Sequence, residues 1–226
     1  MAKYAIFSDL HLGDGTDRDW FGRKDYLLMR IFSKLLAKGY VILLNGDVYE
    51  FWKNSEREIF KAHRVLVEFI RHSPGIVCLV GNHDYDVMGH FTFQFSLQDG
   101  RQVLVSHGFQ NDRWVFHPLM KFLVILASFL ERFFSCPLEK VFSTVYSDNF
   151  DKNIERNTVD YAKKMLEKYD VVICGHTHIQ DREEFPGNKL YLNSGHCTGL
   201  AIQYIKINTK KNSMRLINKQ VRQKKS

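Results

Sequence analysis

The sequence has too few cysteines for a disulfide framework. It holds four in 226 residues, Cys78, Cys136, Cys174 and Cys197, and none has a partner at CxxC spacing. Cys78 and Cys174 sit inside apolar, strand-like runs. All four read as free thiols of a reducing compartment. Long apolar runs are missing too: no stretch reaches the roughly 18 to 20 residues that a spanning helix needs. The first residues enter a strand-like run at once, with no apolar leader ahead of them, so cytoplasmic residence is the expectation. No aromatic-basic stripe for stacking bases is evident. Acidic residues are in deficit, with 25 Asp and Glu against 32 Lys and Arg, a formal charge of +7. That excess suits anionic partners (phosphate compounds, nucleic acid or an acidic membrane surface) or serves solubility alone. With 45% hydrophobic and 25% charged residues the composition is ordinary for a globular chain. The length allows one large domain or two small ones, with a sizeable core.

What the chain does have is a series of short apolar runs that end in similar residues. Tyr40-Val41-Ile42-Leu43-Leu44-Asn45 reads as a buried strand and leads into Gly46-Asp47. Gly46 permits a sharp turn. Asp47 then stands at the C-terminal edge of a sheet, where open α/β folds place their ligands. Its two oxygens can each bind one cation, so Asp47 reads as a bridge between two metal ions. Lys3 to Ser8 is the first strand and ends in Asp9-Leu10-His11. Two residues apart in extended chain is the same side, and carboxylate with imidazole suits a borderline divalent metal. Taken alone, that pair reads better as a polar strand end. Ile76 to Val80 delivers Gly81-Asn82-His83-Asp84, a carbonyl oxygen, an imidazole, and a carboxylate able to orient that imidazole. Thr92 to Phe95 and Gln102 to Ser106 pair through a turn at Asp99-Gly100, and the second ends in His107-Gly108. Asp170 to Cys174 ends in Gly175-His176-Thr177-His178. Asp9, His11, Asp47, Asn82, His107, His176 and His178 are therefore candidate metal ligands. With Asp47 counted twice they form two four-ligand shells, around metals roughly 3.5 to 4 Å apart in a typical dinuclear site.

Between these strands lie helices. Asp25 to Lys38 is apolar at helical spacing and stops at Gly39. Ser55 with Glu58 makes a capping box for a helix running to about His72. His63 and His72 on that helix read as surface histidines. Leu119 to Phe134 follows Pro118 and is very apolar, with Lys121, Ser128, Glu131, Arg132 and Ser135 on one narrow polar stripe. It reads either as a buried core helix or as a cap whose apolar face, including Phe122, Ile125 and Phe129, receives lipid or rests on a membrane. Asp151 to Lys168 is the helix that returns to the main fold. The remainder reads as β-structure: hairpins around Pro186-Gly187-Asn188, then Leu190 to Leu192, Gly199 to Ile207 and Ser213 to Ile217, before a basic tail from Lys219. His196, after Asn193-Ser194-Gly195, is a further candidate for lining the site.

Asp9-x-His11, Gly46-Asp47, Gly81-Asn82-His83-Asp84, His107 and Gly175-His176-x-His178, in that order, resemble the calcineurin-like metallophosphoesterases. The resemblance spans most of the chain. It implies an α/β fold: a four-layer αββα sandwich of two mixed sheets flanked by helices, in a single domain over 1–226 with a helical cap insertion at about 110–150. It implies that Asp9, His11, Asp47 and His178 hold one divalent metal, and Asp47, Asn82, His107 and His176 the other. His83 would contact the substrate phosphate and leaving group, with Asp84 supporting it. The chemistry of the residues agrees. Paired divalent cations lower the pKa of water enough to make a nucleophile at neutral pH and neutralise charge on phosphoryl oxygens. A protonated His83 could serve as general acid. Oxygen and imidazole donors without thiolate favour Mn²⁺ or Fe²⁺, with zinc an alternative for one of the pair.

Ser8 to Gly13 and Gly46 to Trp52 are more closely similar to the branch that includes UDP-2,3-diacylglucosamine pyrophosphatase, of lipid A synthesis. That resemblance implies cleavage of a nucleotide diphosphate lipid to UMP and an acylated glucosamine 1-phosphate, under a helical insertion that covers the acyl chains. Asn82, His83, Phe122, Ile125, Phe129 and His196 would then be substrate contacts, and basic residues could add peripheral attraction to the inner face of the cytoplasmic membrane. Two features depart from that branch. Its better-known members have Arg at the position of His83, and the segment after His107 matches loosely. A phosphodiesterase of nucleic acid or cyclic nucleotides would suit the charge but has no use for the apolar insertion, and the same holds for a protein phosphatase. A scaffold with a dead site should lack ligands, and here all seven are present.

Overall fold

The computed structural model describes residues 2–16, 19–85, 89–112, 126 and 138–221. The strands are β1 (Lys3–Phe7), β2 (Tyr40–Asn45), β3 (Ile76–Leu79), β4 (Thr92–Ser96), β5 (Gln102–Ser106), β6 (Val171–Cys174), β7 (Gln180–Phe185), β8 (Lys189–Ser194), β9 (Ala201–Asn208) and β10 (Ser213–Gln220). The α-helices among the described residues are α1 (Asp25–Ala37), α2 (Glu56–His72) and α3 (Leu138–Leu166). One sheet has the order β10-β9-β1-β2-β3 and the other β4-β5-β6-β8-β7. Each is mixed. β1, β2 and β3 run parallel, as do β5, β6 and β8, while β9, β10, β4 and β7 join antiparallel.

Strand alternation sorts the side chains into layers. Ala5, Phe7, Ile42 and Leu44 pack against Leu28 and Phe32 of α1 and Leu66 and Ile70 of α2. Their neighbours Ile6 and Leu43 point the other way and meet Val103, Val105, Val171 and Ile173 of the second sheet. The outer face of that sheet, Leu104, Val172 and Tyr191, packs on Tyr161, Ala162 and Leu166 of α3. The result is the four-layer αββα sandwich. Because both faces of the central strands are buried, they read as nearly continuous apolar runs.

Three local expectations are corrected. α3 runs Leu138–Leu166 and so starts ahead of Asp151, where the return helix was expected. β10 extends to Gln220, since Lys219 and Gln220 pair with Ile202 and Ala201, so these two residues of the basic tail belong to a strand. His63 is buried, not on the surface, and its φ of −119° breaks the regular course of α2. The Ser55–Glu58 capping box is present, and His72 is exposed. Cys136, His117 and most of the apolar stretch 119–134, with Phe122, Ile125 and Phe129, lie outside the described residues; Leu126 is described and is exposed.

Candidate metal centre

The C-terminal ends of β1, β2, β3, β5 and β6 meet at one edge of the sandwich. The two sheets are stitched there by Asn45. Its side-chain amide donates to the Ser106 carbonyl (3.0 Å), and its own carbonyl accepts from His107 Nδ1 (2.7 Å). Asp9, Leu10 and His11 donate backbone N–H groups to the carbonyls of Gly46 and Asp47 at 2.9–3.2 Å. His83 N–H donates to Asp47 Oδ1 (2.8 Å), and His176 N–H to Asp9 Oδ2 (3.1 Å). Each turn therefore holds a carboxylate supplied by another.

The glycines of these motifs are explained by the carboxylates they face. A Cβ on Gly81 would stand 2.1 Å from Asp47 Oδ1, and one on Gly175 2.7 Å from Asp9 Oδ2. The backbone carries strain at the same place. Asp9 (φ 53°), His11 (49°), Asp47 (52°), His176 (72°) and His178 (58°) all adopt left-handed conformations. Such conformations cost on the order of 1–3 kcal/mol each and gather at functional sites.

The side chains fall into overlapping groups. Asp9, His11 and His178 offer ligand atoms within 4.8 Å of one another; so do Asp47, His107 and His176, and so do His11, Asp47 and His83. The first two follow the division implied by the motifs, and the third brings His83 into reach of the same space. His178 Nε2 is 3.2 Å from Asp9 Oδ1, and His107 Nε2 is 3.2 Å from Asp47 Oδ2. Asp9 Oδ1, Asn82 Oδ1 and His107 Nε2 are buried and make no hydrogen bond. Nε2 of His11 and Nε2 of His178 face each other at 3.1 Å. Buried polar atoms in native proteins are nearly always paired, and this set of oxygen and nitrogen donors converges on space that cations would complete. The residues present fit a metal centre.

Electrostatics reinforce that arrangement. Burial would raise the Asp9 and Asp47 carboxyls, but His107 beside both, with His178 at Asp9 and His83 at Asp47, holds each below the usual carboxylate range. Burial would lower His107, yet the two aspartates push it up to about 10. Burial lowers His11 and His176, opposed at His11 by Glu50 and at His176 by Asp112.

Reading the motifs by residue type missed several partners. Glu50 is buried and accepts from Nδ1 of both His11 (2.9 Å) and His83 (2.8 Å). It takes the place expected for Asp84. Asp84 instead accepts backbone N–H groups of Gly81 (2.7 Å) and Val48 (2.7 Å) and so holds the turn that carries His83, rather than its ring. Burial and the Asp47 charge push Asp84 up to about 6. Trp52 stacks on His83 (4.1 Å, 21°) and donates from Nε1 to the Asn82 carbonyl (2.9 Å). Asp112 Oδ2 lies 3.3 Å from His176 Nε2. Trp20 lies edge-on to His11 at 5.1 Å. The signal for Glu50 was its place three residues after Asp47; Trp20 and Asp112 sit in loops with no periodic pattern. His196 stands at the margin, its ring stacked 5.9 Å from His178 and Nδ1 bonded to Thr198 Oγ1 (2.6 Å).

A family model described as the calcineurin-like phosphoesterase superfamily domain matches residues 2–211. No curated protein matches the chain. Among solved structures, a dimetal phosphatase from Danio rerio shares the fold at a TM-score of 0.55 and 10% identity, over 97% of this chain and 96% of that one. Zinc-complexed Vps29 from Entamoeba histolytica aligns at 0.47 and 15% identity, over 96% and 98%. A predicted phosphoesterase from Streptococcus pneumoniae aligns at 0.45 and 14%, over 97% and 99%. The chain belongs to the calcineurin-like phosphoesterase superfamily and is a metal-dependent phosphoesterase.

Proposed function

We propose that the chain is a dinuclear-metal hydrolase that cleaves the diphosphate of UDP-2,3-diacylglucosamine to UMP and acylated glucosamine 1-phosphate. The observation that carries the hydrolase is Asp47 Oδ2 lying 3.8 Å from His11 Nε2 and 3.2 Å from His107 Nε2, with buried Asp9 Oδ1, Asn82 Oδ1 and His107 Nε2 lacking hydrogen bonds. The substrate rests on the likeness of Ser8 to Gly13 and Gly46 to Trp52 to that pyrophosphatase branch, and on the apolar stretch 119–134. Asp9, His11, Asp47 and His178 would hold one metal, and Asp47, Asn82, His107 and His176 the other. Mn²⁺ is the proposed ion, since the donors are oxygen and imidazole, with Fe or Zn as alternatives.

When bound, the cations supply a nucleophile from water at neutral pH and offset phosphoryl charge. The protein does the rest by placement. Glu50 fixes the rings of His11 and His83 by their Nδ1 atoms, which leaves Nε2 of each for the site. Burial opposes protonation of His83, but Glu50 and Asp47 outweigh it and raise its pKa. As the water oxygen bonds to phosphorus and the bridging P–O bond breaks, the electron pair leaves on the departing phosphate. His83 Nε2 supplies the proton that this oxygen takes up. No described helix is long and apolar enough to cross a membrane; the proposed contact with the inner face of the cytoplasmic membrane is peripheral, through the apolar stretch and the basic tail.

The test sets the Mn²⁺-loaded protein on UDP-2,3-diacylglucosamine and on a soluble aryl phosphodiester. Fast UMP release with little ester cleavage is expected. Replacing Phe122, Ile125 and Phe129 with Ser should then slow the lipid reaction and spare the ester. Cleavage of the ester alone would discard the lipid and favour a metallophosphodiesterase or phosphatase of another nucleotide, nucleic acid or phosphoprotein.

A further inference from the structure

Asn193 stands at the end of β8, beside the metal centre. β8 runs parallel to β6 with Asn193 opposite Cys174. Asn193 is therefore placed where the chain leaves β6 for Gly175-His176-Thr177-His178. It is wholly buried. Its Nδ2 donates to the Gly175 carbonyl (2.8 Å) and to Thr177 Oγ1 (3.1 Å), the residues on either side of His176. The same nitrogen lies 3.1 Å from the Tyr191 hydroxyl. Its Oδ1 accepts from Gly195 N–H (2.9 Å). One side chain thus grips the ligand-bearing turn from behind and fixes its own backbone two residues on.

The residues after Asn193 tie that turn to the end of β1. Ser194 Oγ donates to the Cys174 carbonyl (3.1 Å), and Ser8 Oγ donates to the Gly195 carbonyl (2.8 Å). Cys197 N–H donates to the Asp9 carbonyl (3.0 Å). The grip acts where the backbone is strained. His176 (φ 72°) and His178 (φ 58°) both adopt left-handed conformations. Such conformations persist only where the surrounding structure over-determines them. The two rings serve different groups. His178 lies 3.2 Å from Asp9 Oδ1 and 3.1 Å from His11 Nε2, while His176 joins Asp47 and His107. A single turn therefore gives one candidate ligand to each group.

We infer that Asn193 is a positioning residue that sets the spacing of His176 and His178 and, through them, the spacing of the two cations. This rests on reading the centre as dinuclear. Two imidazoles borne two residues apart on one turn keep a fixed separation only as far as the turn itself is fixed. The Asn193 amide holds it on both sides of His176, at Gly175 and at Thr177. Groups that bond to a ligand's support orient that ligand without touching the metal. Asn193 does this for one ligand of each cation at once, so its loss should be felt at both.

The experiment titrates the full chain with Mn²⁺ by calorimetry and records the electron paramagnetic resonance spectrum at saturation, where the coupling between paired Mn²⁺ ions depends on their separation. Asn193→Asp keeps the shape and the acceptor for Gly195 N–H but has no N–H for Gly175 and Thr177. It should weaken the binding of both cations about ten- to a hundredfold and alter the coupling in the fully loaded protein. Thr177→Val removes one acceptor, leaves Asn193 intact, and should change both readouts in the same direction by less. A side chain that merely supports the fold would lower the melting temperature and leave the coupling as in wild type. Unaltered coupling in the folded, doubly loaded variants, or weakening confined to one cation, would overturn the inference. If Asn193→Asp yields no folded protein, Thr177→Val decides the matter by the same spectrum. The two failures are distinct. A wild type that takes up one Mn²⁺ discards the dinuclear reading and the spacing with it, whereas two ions with coupling indifferent to both variants discard the role of Asn193 alone.

Discussion

Two buried clusters of carboxylates and histidines stand side by side, built from the same residue types to opposite ends. In one, His63 has a carboxylate at each ring nitrogen: Asp19 at Nε2 (2.6 Å) and Asp25 at Nδ1 (2.8 Å). That cluster is closed. It pins the loop before α1 to the interrupted turn of α2. In the other, Asp9 Oδ1, Asn82 Oδ1 and His107 Nε2 are buried without hydrogen bonds, and two imidazole nitrogens face each other at 3.1 Å. That cluster is open. The difference is one of completed pairing. A satisfied buried cluster anchors the fold, whereas an unsatisfied one is held in place by surrounding structure for a ligand to complete. The two touch through adjacent residues: Asp19 belongs to the closed cluster, and Trp20 meets His11 of the open one.

The sharpest way to break this contrast is Asp47→Ala. It should reduce hydrolysis to background and remove both metals, measured as metal content and turnover, because Asp47 belongs to two ligand groups. Full turnover in that variant would end the dinuclear reading. The matching change in the closed cluster is His63→Ala, which removes the imidazole between buried Asp19 and partly buried Asp25 and leaves Asp19 only its backbone donors. It should destabilise the fold by about 3–5 kcal/mol in urea unfolding. A variant as stable as wild type would show that the cluster anchors nothing.

A pH series sharpens the same point. Burial would lower His63, but its hydrogen bonds to Asp19 and Asp25 push it up to about 9 from an ordinary 6.5. A raised pKa contributes stability that is complete below the unfolded value and is lost as pH rises through the folded one. The contribution, on the order of 3 kcal/mol, should be full below pH 6.5 and gone above about 9. At the acid end Asp19, held below its usual range by His63 against the effect of burial, loses its share as pH falls through its folded value. The difference in stability between wild type and His63→Gln across pH reads this out, and a flat difference would refute it. The smallest effect belongs to Glu50→Gln, which keeps the shape but weakens the hold on His11 and His83. Metal affinity should fall about ten- to a hundredfold, measured by calorimetry, with the fold intact. Unchanged affinity would leave Glu50 a packing residue.

The strand ends were legible because their signals are local. An apolar run, a glycine and a polar ligand type within eight residues, as in Tyr40 to Asp47, define both a strand and what it delivers. The capping box at Ser55 and Glu58 is local in the same way. His63 was misread because its partners are loop residues distant along the chain, and helical periodicity says nothing about a loop that folds over it. Asp84 was assigned to His83 because the two are adjacent in sequence. Adjacent side chains diverge in a tight turn, and Glu50 from another strand end fills the place. The true start of α3 was hidden because composition does not separate residues 138–150 from the stretch before them.

Residue order alone determined which chemical groups would stand at five strand ends, and that glycine would precede Asp47, Asn82 and His176. It could do so because turn geometry and strand alternation act over a few residues. Tertiary structure decided which groups meet. His11 and His178 are 167 positions apart and come within 3.1 Å only because β1 lies in one sheet and β6 in the other, with Asn45 joining the two edges. Pairing of that kind depends on sheet order and on how two faces pack. Those are set by the summed burial of many apolar residues, and no short segment encodes them.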